Sequence, residues 1–367
     1  MMDKLAEDRK FMSYQIRQAQ LDLLEKLCNA TAVSGDEFEV RQIVLEEVKP
    51  VADECRVDAL GNVLATKFGT GENRVRVMLA AHMDEIGFMV VKKHEDNLFQ
   101  FERIGGIDER QLPGKAVLVG RDHLSGVIGA KPIHMTTRDE RKNKIGVSDL
   151  RIDLGPEIGD KVKPGDRATF ATRFEILGPS IRAKALDNRF GVATLIELLK
   201  NAPTNIDLLA AFTVQEEVGL RGARVAAYHF NPDMAIALDS TPAYDLPPWD
   251  DEDQNVQYNT RLDAGPAIYV MDRATIADMR IVNFLRDTAQ AAGIPYQFRQ
   301  PGGGGTDAGV IHKTRSGIPS TSVSVPARYA HTAASIARLD DWENTLRLML
   351  TALSQVTPDL LAVERRD

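Results

Sequence analysis

LDNRFGVATLIELLKNAPTNIDLLAAFTVQEEVGLRGARVAAYHFNPDMAIALDS, residues 186–240, decides the fold. GVATLIELL at 191–199 reads as a helix, IDLLAAFTV at 206–214 as a strand, and MAIALDS at 234–240 as a second strand after a helix-like segment. Strands alternating with helices imply an α/β sheet layered by helices. The same texture runs on through AIYVMD, a helix near Ile276 to Ala292, PYQFRQ, STSVSV and a closing helix from Asp340.

Toward the amino terminus the texture changes. From about Phe88 to Arg173 the chain is broken into short alternating runs (FMVVKK, LFQFERI, KAVLVG, SGVIGA, RATFAT) separated by Gly, Pro and Asp, the pattern of a small β-barrel or sandwich. Before it come the strands VLATKF and VRVMLAAH, preceded by a turn at Asp58 to Asn62 and two helices. The first helix lies near Leu21 to Leu27; the second should be capped by Ser34-Gly35-Asp36 and run through Val51. The expected architecture is therefore a discontinuous α/β domain over residues 1–89 and 176–367, a mixed sheet layered by helices, interrupted by a small β-barrel domain over 90–175. The acidic run from Trp249 to Asp253 reads as a solvated loop.

Composition narrows the function. With 43% hydrophobic and 27% charged residues in 367, this is ordinary globular composition, and no apolar stretch approaches the ~20 residues of a membrane span. A net charge of −8 argues against a phosphate-binding surface, so neither nucleic acid nor membrane is an expected partner. The opening MMDKLAEDRKFMSYQIRQAQLDLLEKL is charged throughout and reads as an amphipathic helix of a cytoplasmic protein rather than a secretory signal. Cys28 and Cys55 are too few for a disulfide framework and form no CxxC pair, so any metal must be held by His and carboxylates.

Five short segments place such residues at strand ends or helix starts: AAHMDEIGF, KALDNRFG, TVQEEVGL, IALDS and RYAHT. His82 and Asp84, two residues apart on extended chain, project to one side, so one can bind a metal while the other acts as its supporting partner. The plain alternative is a strand-end His bonded to a turn Asp. Glu216 and Glu217 are adjacent and diverge, which lets one ligate a metal while its neighbour takes a proton from water. They could equally be a solvated pair favoured by a helix dipole. Asp239 ends an apolar strand where open α/β sheets form their crevice. Asp187 precedes a helix and could be no more than its N-cap, and His331 in its loop could be structural.

Together they say more. Two His and three carboxylates are the ligand set of a dinuclear site for zinc, cobalt or manganese. Two divalent ions against three carboxylates leave one positive charge, which a bridging hydroxide would neutralise. GGGG at 302–305 followed by Thr306 and Asp307 lacks the phosphate-loop pattern; it is either a flexible connector or a rigid backbone loop lining a cleft before a helix TDAGVIHKT.

Six stretches in order, AHMDEIGF, KALDNRFG, VQEEVGLRGA, ALDS, GGGGTDAG and RYAHT, resemble the TET-type, deblocking and glutamyl aminopeptidases of metallopeptidase family forty-two, often labelled endoglucanase or cellulase M. The resemblance covers nearly the whole chain. It implies a zinc-exopeptidase-like fold with a PDZ-like dimerisation insert, peptide substrates, and dimers that can build a tetrahedral dodecamer. Carried over by position, it implies that His82 and Asp239 hold one metal, Glu217 and His331 the other, and that Asp187 bridges them. Glu216 would be the general base and Asp84 would orient His82. Zinc is the first expectation for the two divalent ions, with cobalt or manganese as alternatives. The chain departs from the family in the long acidic stretch after Asp239 and in Ala-Ala after RYAHT, both near the presumed cleft. The rival readings are a related dinuclear dipeptidase or deacylase, an endoglucanase, for which adjacent diverging carboxylates and two Trp are poor equipment, and an inactive assembly subunit.

Overall fold

The computed structural model describes residues 11, 13–156, 159–246 and 259–362. The first ten residues of the expected amino-terminal helix and the acidic run from Trp249 to Asp253 lie outside them.

An eleven-stranded mixed sheet carries the molecule. At its centre four parallel strands lie side by side in the order Ile206–Thr213, Val75–His82, Met234–Pro242 and Ser320–Arg328. All four are buried on both faces, and the first three are accordingly near-continuous apolar runs, whereas Ser320–Arg328 (STSVSVPAR) buries small hydroxyl residues between its valines. In Val75–His82 the alternation shows it directly: Val77, Leu79 and Ala81 enter one core, Met78 and Ala80 the other. The first core is closed by the helices Gln18–Asn29, Phe38–Val48, Leu186–Lys200, Met279–Ala292 and Leu339–Gln355, and the second by Arg221–Phe230 and the single turn Ala308–Ile311. Antiparallel strands extend the sheet on both sides, ending at Glu54–Val57 and Glu175–Leu177.

Five residues after His82 the chain leaves the sheet and enters a closed barrel of six antiparallel strands, from Gly87–Lys93 to Arg167–Phe170. The barrel has its own apolar core, in which Phe88 meets the edges of Phe101 and Phe170 at 5.1 and 5.3 Å between ring centres. The short runs read from the sequence as strands are these strands.

Parallel register fixes the business end of the sheet. His82 stands opposite Thr213, and Ala80 opposite Ala237, which brings Asp239 level with His82 at the carboxyl ends of the strands. Two helix starts differ from the sequence reading. Ser34 does not cap the second helix, which spans Phe38–Val48, because its hydroxyl donates instead to Asp84 at 2.6 Å. The helix expected from Ile276 begins at Met279, capped by Asp278, whose carboxylate accepts from the Arg280 N–H.

Candidate metal centre and catalytic cleft

The chemical residues come from five separate segments of the chain. His82 closes its strand, and Asp239 sits in the next one. Asp187 lies in the first turn of Leu186–Lys200 but with φ −84° and ψ 104°, so the segment turns there rather than coiling, and the peptide to Asn188 is cis. It is not an N-cap: Ala185 occupies that position. Glu216 and Glu217 lie in a turn between Thr213 and Arg221, and His331 in the loop after Arg328. Around them Ala185, Gln215, Leu220, Tyr329 and His331 all adopt left-handed backbone, strain of the kind that gathers where side chains must be aimed.

The structure brings all five candidate ligands together. His82 Nε2 is 3.3 Å from Asp187 Oδ1 and 3.6 Å from Asp239 Oδ1. His331 Nε2 is 3.4 Å from Asp187 Oδ2 and 3.5 Å from Glu217 Oε2. Two triads result, sharing Asp187, one oxygen to each. Asp187 Oδ1 is buried without a hydrogen-bond partner despite the nearby imidazole, as an oxygen aimed at a cation would be. Both imidazoles are oriented alike. His82 Nδ1 is 3.1 Å from the Asp84 carbonyl and His331 Nδ1 is 2.9 Å from the Gly106 carbonyl. A carbonyl can only accept, so each ring carries its proton on Nδ1 and, when neutral, offers a bare Nε2 to the carboxylates.

The charges are out of balance. Burial and the carboxylates of Asp187 and Asp84 push Glu217 up to about 8 against the pull of the two imidazoles. Burial and Asp187 likewise raise Asp239 to about 6, opposed by His82. Glu216 lies well above its usual range through burial, reinforced by Asp239, Asp307 and Glu217. Burial opposes a charge on His331, yet Asp187 and Glu217 hold it up at about 10. Carboxylates crowded to this degree fit a cationic partner, and oxygen and imidazole donors suit zinc, cobalt or manganese.

Asp84 does more than face His82. Its carboxylate, 3.5 Å from His82 Nδ1, accepts the N–H groups of Glu216 at 2.9 Å and Glu217 at 3.1 Å and the Ser34 hydroxyl. It thus pins the backbone of both glutamates while standing behind the imidazole.

Three groups beneath the site escape sequence reading. Glu85, Lys184 and Arg189 are buried together: Glu85 accepts Lys184 Nζ at 2.8 Å, Arg189 Nη2 at 3.2 Å, the Ala32 N–H and the barrel's Thr169 hydroxyl. Arg189 also donates to the carbonyls of Leu27 and Met83. Each charge looks solvated in isolation; only their juxtaposition across up to 104 residues makes them a knot. Asp307, at the end of the glycine run, is buried beside the centre, where Thr213 donates to its Oδ2 at 2.6 Å. The glycine run is not a slack connector: Gly303, Gly304 and Gly305 line a cleft of ≈ 890 Å³ that also holds His82, Asp187, Glu216, Glu217, Asp239 and His331.

A family model described as M42 glutamyl aminopeptidase matches residues 61–348. A putative aminopeptidase of Acetivibrio thermocellus is 36% identical over 337 residues, covering 90% of this chain and 98% of its own. The lysyl aminopeptidase of Pyrococcus furiosus is 32% identical, covering 92% of this chain and 97% of its own. Among solved structures, the Pyrococcus horikoshii TET1 peptidase, described as able to assemble into a tetrahedron or a large octahedral shell, superposes with a TM-score of 0.80 at 32% identity, covering 92% of this chain and 100% of its own.

Proposed function

Because the chain belongs to the M42 glutamyl aminopeptidase family, a family of peptide hydrolases, we propose that it is a dinuclear metal-dependent aminopeptidase that removes amino-terminal residues from peptides. One observation carries this reading: the two oxygens of Asp187 face different histidines, at 3.3 and 3.4 Å. In this reading His82 and Asp239 would hold one divalent ion and Glu217 and His331 the other, with Asp187, common to both triads, shared between them. Zinc is the first candidate, cobalt and manganese the alternatives. When bound, the ions supply the positive charge that polarises a scissile carbonyl and acidifies a water.

The chain's own residues do the rest. Glu216 takes a proton from the attacking water as its oxygen bonds to the carbonyl carbon, then gives it to the leaving nitrogen as the C–N bond breaks. Burial lifts its pKa above the ordinary carboxylate range, which makes it a stronger proton acceptor than an exposed glutamate. Asp84 orients His82 and fixes the glutamate turn. The same reading makes residues 90–175 a dimerisation unit, with the dimer or a tetrahedral dodecamer as the assembly. The exposed Ile133 and Met135 on the barrel support it. Two free cysteines are in keeping with a cytoplasmic setting.

The test pairs two variants with metal analysis. Glu216→Gln should lose roughly 100-fold or more in kcat while keeping its metals. Asp187→Ala should lose metal. Full activity in the first, two ions retained in the second, or sugar release from cellulose in place of amino acids from peptides would defeat the assignment.

A further inference from the structure

The sheet fixes two of the five candidate ligands and leaves the shared one to other devices. Parallel pairing sets His82 and Asp239 level, whereas Asp187 lies outside every described strand, at a turn of non-helical backbone in Leu186–Lys200. Two sets of buried hydrogen bonds hold that turn, and each lands beside one of the ligands Asp187 must face. Toward Asp239, the neighbours of one aspartate are tied to the neighbours of the other. Ser240 Oγ donates to the Leu186 carbonyl at 2.9 Å, and Asn188 Nδ2 to the Leu238 carbonyl at 2.8 Å. Toward His82 the ties are charged. Arg189 Nη1 donates at 2.5 Å to the carbonyl of Met83, the residue after His82. Lys184 and Arg189, which stand on either side of Asp187, also share the Glu85 carboxylate, at 2.8 and 3.2 Å. The side chains of all five tying residues are buried.

Stability alone is a poor reason for such ties. Two cations buried against one carboxylate lose much solvation, and apolar side chains in the same place are often as stable. What apolar packing lacks is direction. We propose that these two clamps preform the metal centre: Glu85, Lys184, Arg189, Asn188 and Ser240 are positioning residues that hold Asp187 at its 3.3 Å separation from His82 before any ion arrives. The inference rests on the dinuclear reading above. With no cation between them, the Asp187 carboxylate repels those of Asp239 and Glu217, and a turn free to move would swing away from both. Ligands fixed beforehand lose less of the ions' binding energy to being ordered. The barrel takes part, since Thr169 on its strand Arg167–Phe170 donates to Glu85 Oε2 at 2.9 Å.

The experiment strips metal from the full chain and titrates it with cobalt(II), following heat for affinity and visible absorption for coordination. Urea unfolding of each metal-free protein is measured beside it. Glu85→Gln and Ser240→Ala each loosen one clamp and should weaken cobalt binding by roughly 10- to 100-fold, the usual effect of losing a partner behind a metal ligand, and should alter the cobalt spectrum. Thr169→Val should weaken binding by less, and Thr169→Ser, which keeps the hydroxyl, should restore it. Affinities are compared only among variants whose metal-free form still unfolds cooperatively. A merely structural knot would lower the urea midpoint and leave the folded protein's cobalt affinity and spectrum as in the wild type; that result overturns the proposal. If Glu85→Gln does not fold, Ser240→Ala and Thr169→Val decide, and wild-type affinity in both overturns it. A wild-type protein that takes up fewer than two ions defeats the dinuclear reading itself, and the proposal with it.

Discussion

At the scale of single residues, Asp84 shows how one carboxylate can serve a site without touching substrate. It is fully buried, and burial would raise its pKa, but His82, Ser34 and the Glu216 amide hold it lower and ionised. Replacing it with alanine would leave the buried N–H groups of Glu216 and Glu217 without acceptors, at ~1–3 kcal/mol for each. Asp84→Ala should therefore lose several kcal/mol in urea unfolding and lose turnover as the glutamate turn loosens, whereas Ser34→Ala, which removes one donor, should cost ~1 kcal/mol. Equal small effects from both would contradict the role given to this carboxylate. The five candidate ligands were legible because each stands at a strand end or turn where sequence pattern changes. Glu85, Lys184 and Arg189 were not: a lone Arg or Lys in a sequence carries no mark of what it will be buried against.

At the scale of elements, pattern located strands well and helix starts less well. The runs VRVMLAAH, IDLLAAFTV and MAIAL could only be buried strands, and they are. The start of the second helix was misplaced because Ser34, a good cap by type, is claimed by a tertiary acceptor 50 residues away. The closing helix Leu339–Gln355 makes a different use of its first turn. Asp341 accepts the N–H groups of Asp263 and Gly265 at 2.8 and 2.7 Å, tying the helix to the segment before Ala267. Burial nevertheless raises its pKa to about 6 from 3.8, with Asp263 adding to the rise. A carboxyl raised on folding binds its proton more tightly in the native state, so its stabilising effect is complete below pH ~4 and is lost as pH rises through about 6. The stability of the wild type relative to Asp341→Asn should then fall by up to ~3 kcal/mol between pH 4 and pH 7. A difference that stays constant with pH would rule this out.

At the scale of the whole molecule, the candidate ligands come from segments running from residue 82 to residue 331, so ions at the centre would cross-link the entire sheet. Without them, Glu217 and Asp239 repel their neighbours. Stripping metal with a chelator should lower the melting temperature by ~5 °C or more, and zinc should restore it, because a ligand bound only to the folded state adds its binding energy to stability. Unchanged melting after metal loss has been verified by elemental analysis would argue against a dinuclear centre. Alternating strands and helices announced the large sheet, and short alternating runs announced the barrel. How the two meet was silent, since it depends on backbone atoms that no residue type encodes.

That meeting decides whether the barrel could be removed. The carbonyl that fixes the His331 ring belongs to Gly106, just beyond the barrel strand Leu98–Ile104. At neighbouring Gly105, with φ +82°, even a β-carbon would come within 3.3 Å of the Glu217 carboxylate. The barrel is therefore not a detachable module: a chain cut off without it would lack the acceptor that holds the His331 ring, and bulk added at the glycine pair would press on the Glu217 carboxylate, so the seam between the two units is itself a wall of the site.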